Sequence, residues 1–460
     1  MITARLLLGL LAAWGLLLSV GLFSGRLPAS WVVRPEPQPQ PAPAPAAPCA
    51  CESQQTEPGK AAAEPEKPKE RVIEAALYPL CPREEGAPAL SAVRLARNAL
   101  PLWALHCGPS VQLLSIERDG ERLAPRRVAV LRAPSDGPSE SARAAAVQAG
   151  DIDGDGLTDL LAPVLFVDRT GAPTGGALHL LRQRPEGGFA ASTRLLDLSP
   201  GGVAAATFDA ARGQDLALLE LRDTHTARPN ELWLLHGGPS PLRFAQLPAG
   251  VGASALAVAD LDRDGLDDVA VVSARENRVR LWLSGHGVPG HAEPASFELK
   301  GVREAVAGDL DGDGHADVVL AGERLWVLLA AEGASPEPRE LSAGADLREI
   351  QIVDVDQDGK PDLVGYAHPE IVTLHQGPAL SFERRRLARL QGEVSVRFAR
   401  VAQLDETKRL DLLILAVSSG SDPQIELGIA ENIGADSQVR LASTPSAVRD
   451  EPLLQRFTLR

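Results

Sequence analysis

Short apolar runs separated by Gly, Pro and Asp recur along most of the chain, and they show no helical period. Runs of four to six β-favouring residues in such a pattern predict β-strands. A second apolar run follows each first one, beginning at Ala177, Glu231, Arg280, Arg324, Ile371 and Ile425. In most units a phenylalanine comes after the next turn, at Phe189, Phe244, Phe297 and Phe382. The pattern therefore predicts an all-β protein built from repeated units.

An acidic nine-residue segment precedes the first apolar run of each unit. Four segments read D-x-D-x-D-G-x-x-D and begin at Asp151, Asp260, Asp309 and Asp354. Two more keep the register but lose acidic residues, retaining Asp209 and Asp215, and Asp405 and Asp411. The first positions of the six segments, 151, 207, 260, 309, 354 and 403, are 45 to 56 residues apart.

A period of about 40–50 residues with about four strands per unit is typical of propeller blades. The six loops indicate six units, and the segment from Ala87 to Leu131 has enough apolar runs for another at the front. We therefore predict a seven-bladed β-propeller of ~50-residue repeats spanning residues 76–445.

The acidic segments have the chemistry of a calcium loop. Carboxylates at positions 1, 3 and 5 with a carbonyl at position 7 suit a hard cation, and a glycine at position 6 allows a sharp turn. An EF-hand is excluded because its position-12 glutamate is replaced by Ala162, Val271, Leu320 and Gly365. We expect that the aspartate at position 9 completes each set and that about four structural Ca²⁺ ions bind. The predicted ligands are Asp151, Asp153, Asp155, Leu157, Asp159, Asp260, Asp262, Asp264, Leu266, Asp268, Asp309, Asp311, Asp313, His315, Asp317, Asp354, Asp356, Asp358, Lys360 and Asp362.

From Ala87 to Leu441 the chain resembles the FG-GAP/VCBS-type repeat of integrin alpha subunits and of many bacterial exported proteins. The D-x-D-x-D-G-x-x-D loop is the specific part of this resemblance. It implies a propeller with structural calcium at Asp151, Asp153, Asp155, Asp159 and their counterparts, and binding through a propeller face or inserted loops. The FG and GAP tripeptides are poorly kept, and integrin-like ligand binding is not supported.

The sequence of the N-terminal region predicts a targeting segment followed by an extended linker. Leu6–Gly25 has twenty residues without a charge, enough to span a hydrocarbon core as a helix. Residues 1–26 are therefore either a retained signal anchor or a cleaved signal peptide. Residues 27–75 form a disordered linker whose Pro35–Pro48 run favours extended polyproline II, and residues 446–460 are a C-terminal tail.

The four cysteines are Cys49, Cys51, Cys81 and Cys107. In an exported chain disulfides are the default, and Cys81 with Cys107 could brace the start of the folded region. The spacings match no common zinc pattern, and the connectivity stays open.

Composition and motifs restrict the functions. A net charge of -15 argues against nucleic-acid binding. The sequence has no G-x-S-x-G or H-E-x-x-H motif and no phosphate-binding glycine loop. His236, His286 and His375 recur after the second runs, where turn residues are expected, and Trp233, Trp282 and Trp326 are expected in the core. No enzyme is indicated.

We therefore expect a noncatalytic, calcium-binding propeller that acts as a binding or scaffolding module for an unknown protein or glycan partner. It would be displayed outside the cytoplasmic membrane, in the periplasm or at the cell surface, by its N-terminal helix, or secreted if that helix is cleaved. The alternative is a carbohydrate-active protein, either a lectin or a polysaccharide lyase-like propeller. A third option is a component of a larger envelope assembly.

Overall fold

The computed structural model describes the chain between residues 72 and 450. The described ranges are 72–82, 89–93, 102–107, 110–132, 142–144, 147–170, 172–186, 188–209, 213–222, 228–238, 242–285, 293–341, 346–391, 395–407, 409–417, 424–434, 437–441 and 448–450. The apolar N-terminal run and the proline-rich segment lie outside these residues, as do Cys49, Cys51 and the side chains of Cys81 and Cys107. Within the described ranges we find no helix of the length and apolarity that crossing a bilayer requires.

The described part is built from β-strands, as predicted. Strand β1 (Val72–Pro82) joins the last sheet and is described with it. Sheet 1 contains β2 (Ala89–Val93), β3 (Leu102–Cys107), β4 (Ser110–Asp119) and β5 (Arg122–Arg132). Sheet 2 contains β6 (Ala142–Ala144), β7 (Gln148–Gly150), β8 (Asp159–Val167), β9 (Pro173–Gln183) and β10 (Phe189–Leu196).

The next three sheets each have four antiparallel strands in chain order. Sheet 3 contains β11 (Pro200–Ala206), β12 (Asp215–Glu220), β13 (Asn230–His236) and β14 (Leu242–Gly250). Sheet 4 contains β15 (Ala253–Ala259), β16 (Asp268–Ser273), β17 (Arg278–Trp282) and β18 (Ala295–Glu298). Sheet 5 contains β19 (Val302–Gly308), β20 (Asp317–Gly322), β21 (Trp326–Leu328) and β22 (Arg339–Glu340).

Sheet 6 has nine strands. It contains β23 (Arg348–Val353), β24 (Asp362–Ala367), β25 (Glu370–Gln376), β26 (Phe382–Gln391), β27 (Ser395–Ala402), β28 (Asp411–Val417), β29 (Gln424–Ala430) and β30 (Ser437–Leu441), together with β1. A single-turn 3-10 helix, Pro378–Leu380, precedes β26. The last strand, β31 (Arg449–Asp450), pairs in parallel with β5 of sheet 1.

Each end of the described chain joins a sheet formed by the opposite end: β1 lies in sheet 6, and β31 lies in sheet 1. Strand β1 pairs antiparallel with β29, Ala76 opposite Ile429, and parallel with β30, Ile73 opposite Val439. Strands at Val72 and Asp450 extend the sheets a few residues beyond the 76–445 range expected for the propeller. The sequence could not show this pairing because it joins residues more than 300 positions apart.

The prediction of seven separate blades is corrected by this topology. The described strands form five sheets of four or five strands and one sheet of nine. The difference arises at β30, which pairs in parallel with both β26 and β1 and so joins strands that we expected in two blades.

The second strand of each unit is buried on both faces, which explains its continuous apolar sequence. Every residue of β16 and β20 is buried, and β28 follows the same pattern. Apolar side chains then fill the space between neighbouring sheets. One such cluster joins Val272 and Leu281 of sheet 4 to Val318 and Leu320 of sheet 5. The described strands therefore form an all-β propeller.

Candidate functional site

The acidic segments occupy the same hairpin in six units. We call residues 151–159, 260–268, 309–317 and 354–362 the aspartate loops, and 207–215 and 403–411 the degenerate loops. Each connects the first strand of a unit to the second. The last residue of the first strand always pairs with position 9 of the loop, as in Gly150 opposite Asp159, Ala206 opposite Asp215, Ala259 opposite Asp268, Gly308 opposite Asp317, Val353 opposite Asp362 and Ala402 opposite Asp411.

The position-9 aspartate fastens each loop to its unit. In the 260–268 loop, Asp268 accepts the backbone N–H of Leu261 (2.9 Å) and that of Ser284 (2.7 Å). The other five loops repeat both bonds, with acceptors Asp159, Asp215, Asp317, Asp362 and Asp411. All six residues are at most 3% exposed. Because both degenerate loops keep these bonds, position 9 has a structural role that does not depend on the full aspartate pattern.

Burial also changes the acidity of these carboxyls. It raises the pKa of all six, and raises that of Asp268 to about 7. The two backbone N–H groups oppose the effect, since they stabilise the ionised form. A neighbouring divalent cation would favour the ionised form further.

Positions 1, 3 and 9 come together in three of the four aspartate loops. Carboxylate oxygens of Asp151, Asp153 and Asp159 lie within 4.8 Å of one another. The same holds for Asp260, Asp262 and Asp268, and for Asp309, Asp311 and Asp317. In the fourth loop the set is Asp356, Asp362 and His375. Such groupings of oxygen donors have the chemistry that a hard divalent cation requires.

Two buried carboxylate oxygens in these loops have no hydrogen-bond partner among the described residues, namely Oδ1 of Asp153 and Oδ1 of Asp354. A buried unpaired oxygen of this kind is costly unless a cation satisfies it. The donor set and these two atoms fit a calcium ion held by positions 1, 3 and 9.

Positions 5 and 7 form the outer turn. The N–H of position 7 donates to the carboxylate of position 5 in every aspartate loop, with Leu157, Leu266, His315 and Lys360 as donors and Asp155, Asp264, Asp313 and Asp358 as acceptors. Asp313 also accepts a hydrogen bond from Arg263 of the preceding loop, and Lys360 Nζ lies 3.3 Å from Asp358 Oδ2. The carbonyl groups of position 7 stay predicted ligands.

The position-6 glycines are required for their backbone conformation. Gly156, Gly265, Gly314 and Gly359 have φ between 86° and 90°. A Cβ at any of them would meet no atom within 4 Å, so it is the backbone conformation and not lack of space that requires glycine. Position 4 also has positive φ, which the residue type does not indicate where it is Arg263 (59°) or Gln357 (60°).

In the degenerate loops, side chains from elsewhere approach the remaining carboxylates. Arg118, from β4, forms ion pairs with Asp405 and with Glu431, the latter at 3.4 Å. In the other degenerate loop, His236 Nδ1 lies 3.5 Å from oxygens of both Asp209 and Asp215.

One strand position, missed by our sequence reasoning, faces every loop. The first residue after position 9 pairs with a residue near the end of the third strand, and the position meant here is the one that follows that partner. For example, Leu160 pairs with Leu181, and Arg182 comes next. The six residues at this position are Arg182, His236, Leu283, Leu329, His375 and Glu431. We had expected His236 and His375 to be turn residues, and this was wrong, because both lie in strands and both contact carboxylates. The pairing register could have revealed them, but spacing alone could not.

The prediction that three tryptophans lie in the core is confirmed for one of them, and the other two are partly buried. Trp282 is buried, and Trp233 and Trp326 pack against apolar clusters of their sheets. His286 lies outside the described residues.

Comparisons with known proteins concern the fold. No curated protein sequence matches the chain. Among solved structures, a lectin from Agrocybe aegerita that recognises non-reducing terminal N-acetylglucosamine shares 13% identity with a TM-score of 0.44, covering 76% of this chain and 95% of its own. BBS1N in complex with ARL6DN shares 11% identity with a TM-score of 0.46, covering 79% and 98%. A functionally unknown protein from Desulfotomaculum acetoxidans shares 12% identity with a TM-score of 0.46, covering 74% and 96%.

The sequence profile of the FG-GAP-like repeat matches residues 260–320 and 309–365, each beginning at an aspartate loop. These matches agree with the repeats that the aspartate loops define. Residues 260–365 are FG-GAP-like repeats, and the described strands around them form a β-propeller.

Proposed function

We propose that the chain is a noncatalytic binding module, a β-propeller whose aspartate loops hold structural calcium. The observation that carries the proposal is the repeated set of carboxylates at positions 1, 3 and 9, of which position 9 is always buried. Calcium at these sets would offset their mutual repulsion and satisfy Oδ1 of Asp153 and Asp354. Because an unfolded chain lacks the sets, calcium would stabilise the folded state by mass action.

In this proposal the degenerate loops bind no calcium. Arg118 supplies the positive charge in the 403–411 loop, and His236 provides a nitrogen beside the two carboxylates of the 207–215 loop. Their retained position-9 bonds support the strands without an ion.

We also propose that sheet 6 comprises two blades, giving seven. Strands β23 to β26 repeat the antiparallel order of sheets 3 to 5, and β27, β28, β29 and β1 do so again. An apolar cluster lies between these two sets, as others lie between neighbouring sheets, and the seven clusters would close a ring. An experimental structure with seven radial units would support the count, and one with five or six would overturn it.

The module would act outside the cytoplasmic membrane, on the extended linker predicted for residues 27–75 and the apolar run Leu6–Gly25. A protein or glycan partner is proposed for it. The placement of Trp282 in the core gives no support to a carbohydrate platform there.

Calcium titration of the EDTA-treated full chain by calorimetry tests the proposal. We expect about four ions per chain, and two fewer in a variant carrying Asp262→Asn and Asp311→Asn. The control Asp209→Asn, in a degenerate loop, should leave the number unchanged. Absence of calcium binding by the unaltered chain would overturn the proposal.

A further inference from the structure

The four aspartate loops differ in the residue that faces them from the neighbouring strand. Leu283 and Leu329 occupy this position beside the 260–268 and 309–317 loops, leaving only oxygen donors in the sets described there. Beside the 354–362 loop the position is His375. Its Nδ1 lies 3.1 Å from Asp356 Oδ2 and 3.5 Å from Asp362 Oδ2. This loop therefore brings an imidazole nitrogen into a carboxylate set.

A second contact orients the imidazole. The hydroxyl of Thr373, a buried residue, donates to the backbone carbonyl of Arg385 (3.4 Å) and lies 3.0 Å from His375 Nε2. The imidazole therefore has one nitrogen held by a hydroxyl of its own strand, while the other nitrogen lies beside the carboxylate of Asp356. Metal-binding histidines commonly have their other nitrogen held in this way.

Nδ1 of His375 and oxygens of Asp356 and Asp362 are close enough to one another to bind the same cation. The side chain of Asp362 is 2% exposed and that of His375 is 15% exposed, whereas that of Asp356 is 42% exposed, so the set is buried on one side and open to solvent on the other.

Asp354 supplies an independent sign that this loop suits a cation. In the other aspartate loops the Oδ1 of position 1 accepts a backbone N–H from position 4 or 5. In this loop Oδ1 of Asp354 is buried and has no hydrogen-bond partner among the described residues, while Oδ2 accepts the N–H of Gly359. An unsatisfied buried oxygen thus belongs to the loop that His375 contacts.

We propose that Asp354, Asp356, Asp362 and His375 form a site for a divalent transition-metal ion, such as Zn²⁺, with mixed nitrogen and oxygen ligands. Imidazole nitrogen favours this class of ion, whereas calcium prefers oxygen ligands alone. This inference rests on the proposed function, because it treats the 354–362 loop as a cation site. It replaces calcium by a transition-metal ion in this loop alone. Asp358, paired with Lys360, is not required as a ligand.

Zn²⁺ titration of the untagged full chain, with alkylated cysteines and saturating calcium, tests the proposal. We expect Zn²⁺ binding that requires His375 and does not depend on the comparable set of Asp209, Asp215 and His236. His375→Leu, which copies Leu283 and Leu329, should weaken that binding at least about tenfold. The control His236→Leu should retain it. In the reverse exchange, Leu283→His should create a second site of this kind beside the 260–268 loop.

Each outcome separates this inference from the calcium proposal. Zn²⁺ binding that is unchanged in His375→Leu, or no Zn²⁺ binding by the unaltered chain, would overturn the transition-metal site whatever calcium does. A His375-dependent Zn²⁺ site in a chain that binds no calcium would retain it and overturn the calcium proposal instead. His375→Leu variants that melt normally in calcium exclude misfolding as the cause of lost Zn²⁺.

Discussion

The guanidinium of Arg118 in the first sheet binds the carboxylate of Asp405, which lies 287 residues later in the last degenerate loop. The same guanidinium reaches Glu431, whose other oxygen accepts the N–H of Leu123 (2.6 Å). An arginine thus provides, for one loop, the positive charge that we propose bound metal ions provide for four others. It also connects the first and last sheets.

This contact predicts a calcium-independent contribution to stability. Arg118→Gln should lower the melting temperature by the same amount in calcium and in EDTA, because it leaves Asp405 and Glu431 without their cation. Adding Glu431→Gln should recover part of the loss. The control is Arg126→Gln, whose partner Glu117 is exposed. Equal melting temperatures for Arg118→Gln and the unaltered chain would contradict this role.

Position 9 should be required even where no calcium binds. Asp411→Ala would leave the buried N–H groups of Leu404 and Asn432 without an acceptor. Since each unsatisfied group costs roughly 1–3 kcal/mol, we expect the free energy of unfolding to fall by about 3 kcal/mol. Urea unfolding in EDTA measures this. Asp411→Asn, which keeps one acceptor oxygen, should lose less free energy of unfolding. An Asp411→Ala variant as stable as the unaltered chain would refute the structural role of position 9.

The turn glycines should resist substitution for conformational reasons. Gly314→Ala should cost about 1–2 kcal/mol because φ is 90° there, although its Cβ would enter open space. Gly434 is the matched control, because its Cβ would also be free while its φ is not positive. Urea unfolding in EDTA should therefore show a loss for Gly314→Ala and almost none for Gly434→Ala. Equal effects would contradict the conformational explanation.

The stability of the calcium-free protein should depend on Asp268. Burial raises its folded-state pKa from 3.8 to about 7, so the folded state binds a proton more tightly than the unfolded state. Its contribution is therefore complete below about pH 4 and is lost as the pH rises through 7. Calcium requires the ionised form, so its stabilising effect should be larger at pH 8 than at pH 5.

Urea unfolding across this pH range in EDTA, compared with Asp268→Asn, isolates the effect. Asp262, whose own pKa is raised by burial and by Asp264, is the acidic neighbour that adds to it. The variant should lose the part of the pH dependence between about 4 and 7 that Asp268 causes. Identical pH profiles for the two proteins would contradict the assignment.

Local signals were sufficient to predict most of the repeat. The apolar runs became second and third strands, and all four phenylalanines lie in the fourth strand of their units. The aspartate pattern located the hairpins because a nine-residue loop fixes its own turn, with glycine at position 6. Position 9 was predicted as a ligand, but one of its two backbone hydrogen bonds comes from a residue that lies at or just beyond the end of the third strand and could not be identified locally.

Long-range pairing was not predictable in the same way. The insertion of β1 between β29 and β30, and the pairing of β31 with β5, leave no periodic signal in the sequence. Nothing in the local sequence distinguishes Arg118 or His375 from other polar residues, because only the pairing of the strands places them beside a loop. Their positions depend on the closure of the whole domain.

The central claim is that calcium in the aspartate loops stabilises the propeller. Thermal unfolding of the full chain in excess calcium and in EDTA, at pH 7.5 and constant ionic strength, tests it most directly. A clear rise in melting temperature with calcium, reduced when Asp262→Asn and Asp311→Asn are combined, is the result that we predict. The same melting temperature in both conditions would contradict the claim and leave the loops as turns held by their own hydrogen bonds.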